Sequence, residues 1–215
     1  MAARAKPDEA ARAAVLEKAL PLAAADGFSE AVLARAGKEA GIDASMLLHL
    51  FPLGAESLVE AYSDWADSAM RENLAAHSIS ALKIRERIRA AVLARIDALR
   101  PHKEAARRAA AFLMLPLHAA LATRLVYRTV DAMWRAAGDT STDFNFYTKR
   151  AILAGVYSST VMRWFNDVSD DESETRAFLD ARIENVMQFE RFKAEIRERV
   201  KQMPGFDAFF GTRPS

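Results

Sequence analysis

Apolar residues recur at helical spacing along most of this chain, and this feature constrains its fold more than any other. In the first stretch, Ala11, Val15, Ala19 and Leu22 are three or four residues apart, as on one face of a helix. Helix-favouring Ala, Leu, Arg and Glu dominate, whereas the strict alternation of apolar and polar residues that predicts strands is missing. Gly (8) and Pro (7) are scarce in the 215 residues, and no linker-like stretch occurs. We therefore expect an all-α protein.

Glycines and prolines divide the chain into predicted helices, because proline interrupts a helix and glycine often ends one. Pro116 is expected to break a helix after Leu115, and Gly138 to close the next one. Thr142 or Asp143 is expected to cap the helix that follows. The predicted helices run from Asp8 to Ala25, Ser29 to Ala40, Asp43 to Phe51, Glu56 to His77, about Ala81 to Leu99, Lys103 to Leu115, His118 to Ala137, Phe144 to Phe165, and about Ser173 to Lys201.

The first three predicted helices have the order of a helix-turn-helix. Residues 24–52 read AADGFSEAVLARAGKEAGIDASMLLHLFP: a helix end, Gly-Phe, a second helix, a glycine turn, a short helix and an aromatic–proline break. This stretch resembles the N-terminal module of TetR-type repressors. The resemblance implies a TetR-like helical fold, and it makes a ligand-responsive TetR-type transcriptional regulator one candidate function.

The charges of this module argue against DNA binding. Residues 8–60 contain four basic and nine acidic side chains, a net charge of −5. The predicted recognition helix, residues 43–51, contains neither Lys nor Arg. Because DNA affinity depends on neutralising phosphates and base reading needs polar side chains, we expect a degenerate module that does not bind nucleic acid.

The composition of the chain excludes several kinds of protein and of functional site. The formal net charge is +1, and the chain has no cysteine, which excludes disulfides, thiolate zinc sites and a cysteine nucleophile and fits a reducing cytoplasm. No apolar run approaches the roughly 20 residues that a membrane span requires. The N-terminal residues lack the apolar core of a signal peptide. We expect a soluble protein that can lie on a membrane surface.

No constellation of residues with catalytic or metal-binding spacing is present in the sequence. The four histidines are scattered, none lies four residues from another, and none follows a Glu by three residues. The chain contains no P-loop, no GxGxxG and no GxSxG motif. Asp139 and Asp143 could form an acid–base pair, although helix capping explains them more simply. We therefore expect no catalytic residues, no metal, no cofactor and no enzyme activity.

Apolar residues cluster around Pro116, where an interrupted helix can leave space beside it. A long apolar ligand could lodge there, although an ordinary core would show the same pattern. The candidate lipid-binding residues are Phe112, Met114, Leu115, Leu117, Leu121 and Leu125, together with Phe144, Ile152 and Val156 from the following helix.

The C-terminal part is amphipathic. An apolar stripe interleaved with Arg and Lys can lie in a bilayer interface, or it can pack on its own domain or on a dimer partner, and both remain open. The candidate membrane-binding residues are Phe189, Phe192, Ile196, Val200 and Met203, followed after Pro204–Gly205 by Phe206, Phe209 and Phe210.

Residues 131–150, DAMWRAAGDTSTDFNFYTKR, combine large aromatics with charged and hydrogen-bonding residues, as a recognition surface does, although a core corner could show the same composition. Together with MLP at 114–116 and the continuation to Tyr157, this run resembles the coenzyme Q (ubiquinone) biosynthesis accessory family with a TetR-like fold, the ninth protein of that pathway's numbered set. The resemblance covers about residues 10–187.

The resemblance implies a homodimer with a degenerate helix-turn-helix module (8–60), a helical lipid-binding and dimerisation region (61–203) and an aromatic tail (204–215). It implies binding of isoprenoid lipids or ubiquinone intermediates, their presentation to the di-iron demethoxyubiquinone hydroxylase, and a peripheral position on the membrane. Since the sequence shows no transit segment, we expect a bacterial member, cytoplasmic at the inner membrane. Phe146 stands where the family commonly has Trp, and we expect it to face outward. The positions implied to dock the hydroxylase are Asp131, Met133, Trp134, Asp143, Asn145, Phe146, Tyr147 and Arg150.

Overall fold

The computed structural model describes residues 7–77, 79–140 and 144–201, with the side chains of 144–145 and 189–201 outside that description. No strand occurs in these ranges, which confirms the all-α class. The helices are α1 (Pro7–Asp26), α2 (Glu30–Glu39), α3 (Ala44–Leu50), α4 (Ala55–Ala76), α5 (Ile84–Leu99), α6 (Lys103–Leu113), α7 (Ala119–Ala136), α8 (Phe144–Phe165) and α9 (Ser173–Lys201).

Local capping explains why α2 and α3 begin where they do. The Ser29 hydroxyl accepts a hydrogen bond from the Val32 N–H at 3.3 Å, and the Asp43 carboxylate accepts one from the Met46 N–H at 2.9 Å. Gly41 lies in the turn between the two helices with a φ of +71°, a conformation that residues with a Cβ adopt only with strain. These features set the geometry of a helix-turn-helix from α1 to α3.

Helix α4 joins this module to the rest of the protein. It packs against α1 and α2 on one side and against α5 and α7 on the other, and it buries Leu58, Tyr62 and Met70. It also runs unbroken through residue 60, where the sequence predicts the module to end. The two predicted regions therefore share one helix and one continuous hydrophobic core.

Helices α5 to α9 form the second part, with α7 packed on α4, α5 and α8, and α9 packed on α8 and α5. Trp164 and Met133 are fully buried there. The start of α9 is fixed by Asp167, a buried carboxylate that accepts hydrogen bonds from the N–H and O–H groups of Ser169 and Thr175. Burial raises the pKa of Asp167, but these hydrogen bonds outweigh it and hold that pKa below its ordinary value.

Two predicted boundaries are wrong by a few residues. Helix α5 begins at Ile84 rather than Ala81, because Ile79–Ala81 form a separate 3₁₀ turn and the Glu86 carboxylate accepts a hydrogen bond from the Lys83 N–H at 3.0 Å. Helix α6 ends at Leu113 rather than Leu115, since Leu115 is extended before Pro116, as residues that precede proline prefer.

No single helix among the described residues is both long and apolar enough to cross a membrane. One pair of segments, Ile84–Leu113 and Pro116–Ala136, meets the length and composition requirements together but is bent by 91° at its break.

Candidate functional site

A cavity of about 260 Å³ lies between α4, α5, α6, α7 and α8, and we call it the central cavity. Most of its wall is apolar and comes from all five helices. Met114 at the end of α6 and Met162 on α8 lie on its wall and are 73% and 46% exposed, so the cavity reaches solvent beside both. The main apolar lining residues are Val59, Leu99, Leu113, Leu125, Val126 and Val161.

The wall of the central cavity also contains a buried polar cluster centred on Arg95. Its guanidinium donates from Nε to the Asp67 carboxylate at 2.6 Å, from one Nη to the Tyr157 hydroxyl, and from the other to the Ser63 hydroxyl at 3.0 Å. The Thr129 hydroxyl donates to the same carboxylate at 3.1 Å. Four of these residues line the cavity, and Asp67 supports them from behind. We call Ser63, Asp67, Arg95, Thr129 and Tyr157 the polar cluster.

The titration state of the polar cluster follows from its burial. Burial raises the pKa of the Tyr157 phenol, and although Arg95 opposes this effect, the pKa stays above its ordinary value. Burial lowers the pKa of Arg95, but Tyr157 and Asp67 outweigh it and hold that pKa above its usual range. At neutral pH the cluster therefore contains a charged guanidinium and a protonated phenol.

A second cavity, of about 270 Å³, lies between α5, α7, α8 and α9. Ile152 and Val156 line it from α8, Trp134 from α7, and Ile183 and Val186 from α9. We call it the α8–α9 cavity. Helix α8 therefore has an apolar cavity on each of two sides.

The structure does not bring the nine predicted lipid-binding residues into one site. Met114 and Leu125 line the central cavity, whereas Ile152 and Val156 line the α8–α9 cavity. The Phe112 ring stacks on the His118 ring, with centroids 3.8 Å apart, and Leu121 is a buried core residue. Leu115 and Leu117 are 47% and 73% exposed, because the extended bend at Pro116 turns them towards solvent. The Phe144 side chain lies outside the described residues.

The buried Arg150 side chain bonds to several residues of the central motif, which is our name for residues 131–150. This side chain is 2% exposed and donates to Asp131 at 2.7 Å, to Asp139 at 3.3 Å and to the Phe146 carbonyl at 3.1 Å. The guanidinium also lies 3.3 Å from the centroid of the Phe146 ring. Burial raises the pKa of Asp131, but hydrogen bonds from Arg135 and Arg150 outweigh it and hold that pKa low.

This arrangement corrects part of the predicted docking surface. Met133 and Arg150 are buried, so neither can contact a partner in this conformation. Phe146 does not face outward as expected, because it lies half-buried under the Arg150 guanidinium. Tyr147 is instead the exposed aromatic of the motif, with 65% of its surface accessible.

The remaining predicted docking positions are Trp134, Asp131, Asp143 and Asn145. Trp134 is half-buried, donates from its indole to the Lys149 carbonyl at 3.2 Å and lines the α8–α9 cavity. Asp131 is half-buried beside Arg150. Asp143 and the side chain of Asn145 lie outside the described residues.

The side chains of all the predicted membrane-binding residues lie outside the described part of the structure. The backbones of Phe189, Phe192, Ile196 and Val200 continue α9, but their side chains are outside the described residues. The rest of the predicted set, Met203, Phe206, Phe209 and Phe210, also lies outside them.

The polar cluster was not predicted from the sequence. Arg95 lies 28 residues from Asp67 and 62 from Tyr157, so no local spacing connects them. The one available signal was an arginine in register with the apolar face of α5, three residues after Val92 and next to Ile96.

Comparison with known proteins agrees with the central motif and with the fold. Residues 119–190 match the family model described as COQ9. The chain is 44% identical over 100 residues to the ubiquinone biosynthesis protein COQ9, mitochondrial, of Rattus norvegicus, covering 46% of this chain and 32% of the relative. The Drosophila melanogaster protein of the same name is 28% identical over 186 residues, 85% of this chain and 57% of the relative. The chain thus spans about a third of the length of the first of these relatives.

Among solved structures, a TetR transcriptional regulator from Nitrosomonas europaea superimposes with a TM-score of 0.65 and 25% sequence identity over 80% of this chain and 95% of that one. The TetR-like fold is confirmed. The expectation of a bacterial member is not borne out, since the names of these COQ9 relatives place them in mitochondria. The resemblance read from residues 131–150 is confirmed as well: residues 119–190 match the COQ9 family model, and the chain has a TetR-like fold.

Proposed function

We propose that this protein is a non-catalytic accessory protein of ubiquinone biosynthesis that binds an isoprenoid lipid or quinone intermediate in its central cavity. The observation that carries the proposal is an apolar cavity with one polar end, enclosed by five helices of a chain that has the COQ9 domain. Sites for small apolar ligands combine these properties: an apolar wall and a few placed polar groups that fix orientation.

The size of the central cavity fits part of such a ligand. An apolar cavity of about 150 Å³ can hold a benzene molecule. At about 260 Å³, the central cavity has room for one ring and a short stretch of chain. A longer isoprenoid tail must then leave the cavity, and Met114 marks one of the places at which it can do so.

The polar cluster supports binding rather than catalysis. The charges of Arg95 and Asp67 pair with each other, and the carboxylate also accepts from Thr129. A general base must be free to take a proton from the substrate. Since Arg95 and Thr129 both donate to the Asp67 carboxylate, and burial raises the pKa of Tyr157, the cluster provides hydrogen bonds but no free base at neutral pH.

Presentation of the ligand to a di-iron hydroxylase requires a docking surface, and two exposed features support this part of the proposal. Tyr147 is exposed on α8 and held by the rigid Arg150 arrangement, as an interface anchor should be. Leu115 and Leu117 are exposed beside Met114 at the open end of the cavity. An enzyme or a lipid surface that covers these residues would receive the ligand without exposing it to water. We further propose that the protein acts as a homodimer and lies peripherally on a membrane through residues 189–215.

The function is tested by deleting the gene and measuring quinones by mass spectrometry. Accumulation of demethoxyubiquinone or another late intermediate is expected, and an unchanged quinone profile would count against the proposal. Native mass spectrometry of the purified protein is expected to show a co-purified isoprenoid lipid. Liposome flotation with and without residues 189–215 tests the membrane part, because equal binding by both forms would remove that segment from it.

A ligand-responsive transcriptional regulator is the second candidate, and the similarity to the Nitrosomonas europaea regulator favours it. Helix α3 argues against it: Leu48 and Met46, 67% and 38% exposed, occupy the surface where a DNA-reading helix has polar or basic side chains. Sequence-specific binding in a gel-shift assay at physiological salt would establish this alternative.

A further inference from the structure

The hydrogen-bonding capacity of the polar cluster specifies the ligand group that the central cavity recognises. Arginine donates hydrogen bonds and accepts none. In its bonds to Tyr157 and Ser63, the protons therefore come from Arg95, and each hydroxyl acts as the acceptor. Each hydroxyl consequently keeps its own proton for a further partner.

No acceptor for these two protons is found in the part of the chain that the structure describes. Two hydroxyls that follow Tyr157 on α8 return their protons to the helix: Ser159 donates to the Gly155 carbonyl at 2.7 Å and Thr160 to the Val156 carbonyl at 2.7 Å. Tyr157 and Ser63 make no such bond among the described residues. Both line the central cavity, so the cavity is the space that these hydroxyl groups share.

In the described part of the chain, the cavity lining provides hydrogen-bond donors but no carboxylate or amide side chain that could accept a hydrogen bond. It contains no Asp, Glu, Asn or Gln side chain among the described residues. Arg95 brings a positive charge, but Asp67 neutralises it at 2.6 Å and the guanidinium is already occupied by three partners. The polar cluster is thus electrically neutral, and its Tyr157 and Ser63 hydroxyls supply two O–H donors to the cavity wall.

We propose that the hydroxyls of Tyr157 and Ser63 form a subsite for a neutral carbonyl oxygen, such as that of a quinone or ketone ring, so that the oxygenated end of the ligand lies against Arg95 and its apolar chain leaves past Met114. This inference rests on the proposed function, since it names the chemical group bound at the same cavity. A carbonyl oxygen has two lone pairs and no proton, and it therefore accepts from both hydroxyls.

Other ligand groups fit the subsite less well. A carboxylate or phosphate would bring a negative charge into an apolar cavity whose one cation is already neutralised, and burying an uncompensated charge is costly. An alcohol could also accept from the two hydroxyls, but its own proton would have to share a hydroxyl oxygen that already accepts from Arg95, which weakens binding. A hydrocarbon would leave both hydroxyl protons unpaired.

The test compares three isoprenoids of matched length: a methyl ketone, the alcohol and the hydrocarbon. Their affinities for the full chain are measured by displacement of a fluorescent fatty-acid probe. Two hydrogen bonds of ordinary net strength predict that the ketone binds roughly tenfold more tightly than the hydrocarbon. In Ser63→Ala and in Tyr157→Phe this preference, measured as the ratio of the ketone affinity to the hydrocarbon affinity, should fall several-fold. Ser159→Ala, whose hydroxyl is already satisfied, is the matched control and should keep the full preference.

Tyr157→Phe also removes an acceptor from the buried Arg95 and can destabilise the fold. Ser63 is only half-buried, so Ser63→Ala keeps the test independent of that effect, and circular dichroism verifies that each variant is folded. A ketone preference that is equal in wild type, Ser63→Ala and Tyr157→Phe would overturn the carbonyl subsite. Hydrocarbon binding without any ketone preference would overturn the subsite alone, whereas failure of all three isoprenoids to bind would also overturn the proposed function.

Discussion

Replacing Asp67 with Asn tests how much the buried polar cluster contributes to the stability of the protein. Asp67 lies on α4 and Arg95 on α5, and their side chains are only 9% and 7% exposed. Asn has the same shape as Asp, so the substitution leaves no cavity, but it leaves the buried guanidinium without a counter-charge. Removing one partner of a buried ion pair typically costs about 3–5 kcal/mol, because an uncompensated charge remains in the interior.

This cost is large against the stability of the whole chain. Domains unfold with free energies of about 5–15 kcal/mol. For a chain of this size, 1 kcal/mol corresponds to roughly 2–4 °C in the unfolding midpoint, so Asp67→Asn should lower that midpoint by about 10 °C. Urea titration followed by circular dichroism gives the unfolding free energy, and thermal melts give the midpoint.

The matched control is Asp180→Asn, which removes the carboxylate from the Arg89–Asp180 pair. Those side chains are 37% and 50% exposed, and surface ion pairs contribute about 0–1 kcal/mol. If Asp67→Asn costs no more than Asp180→Asn, burial of the Arg95 charge does not control stability as described. The double variant Asp67→Asn with Arg95→Met should recover part of the loss, because it removes the uncompensated charge itself.

Three further predictions follow from individual side chains. Tyr147→Lys should abolish co-purification with the hydroxylase. The thermal midpoint should stay within about 2 °C, since substitutions of exposed residues change stability by less than about 0.5 kcal/mol. Retained co-purification would remove Tyr147 from the docking surface. Ala110→Phe fills the central cavity and should reduce the amount of co-purified lipid several-fold. The control Ala111→Phe, on the exposed side of α6, should not reduce it. Equal amounts of lipid in both variants would place the ligand elsewhere. Asp167→Asn removes a carboxylate whose pKa is lower in the folded state than in the unfolded state. The unfolding free energy lost relative to wild type should therefore be largest near pH 7 and shrink as the pH falls below about 4. A loss that is constant from pH 7 to pH 3 would contradict this linkage.

The helices were predictable from the sequence because their signals are local. Ser29 and Asp43 cap their own helices, and Phe144–Phe165 was predicted to the residue. The errors at Ala81 and Leu115 arose where a 3₁₀ turn or an extended residue before proline replaces a helical turn. Such local alternatives differ little in energy, and neighbouring packing decides between them.

The cavity and the polar cluster were not predictable in the same way. Leu115 and Leu117 were predicted to line a lipid site but face solvent, whereas Tyr157 lines the central cavity and was not among the predicted residues. The family resemblance implied that Arg150 lies on the docking surface, yet it is buried, where two carboxylates and the Phe146 ring satisfy its charge. Whether a charged residue is buried depends on partners that are brought together only by the tertiary fold.

The proposed function requires a TetR-like frame to bind a ligand without reading DNA, and the positions of α3 and α4 are consistent with it. In a ligand-responsive repressor, a change in the cavity must reach the recognition helix through the elements that connect them. Here α4 makes that connection, since Ser63 and Asp67 belong to the polar cluster and the same helix packs on α1 and α2. The recognition helix α3, however, presents leucine and methionine and no cation, so a signal carried along α4 would have no DNA contact to change. Under the proposed function, a ligand in the central cavity would therefore act on a protein partner or a membrane, and Met114, Leu115 and Leu117 are exposed residues at or beside the cavity wall through which it would do so.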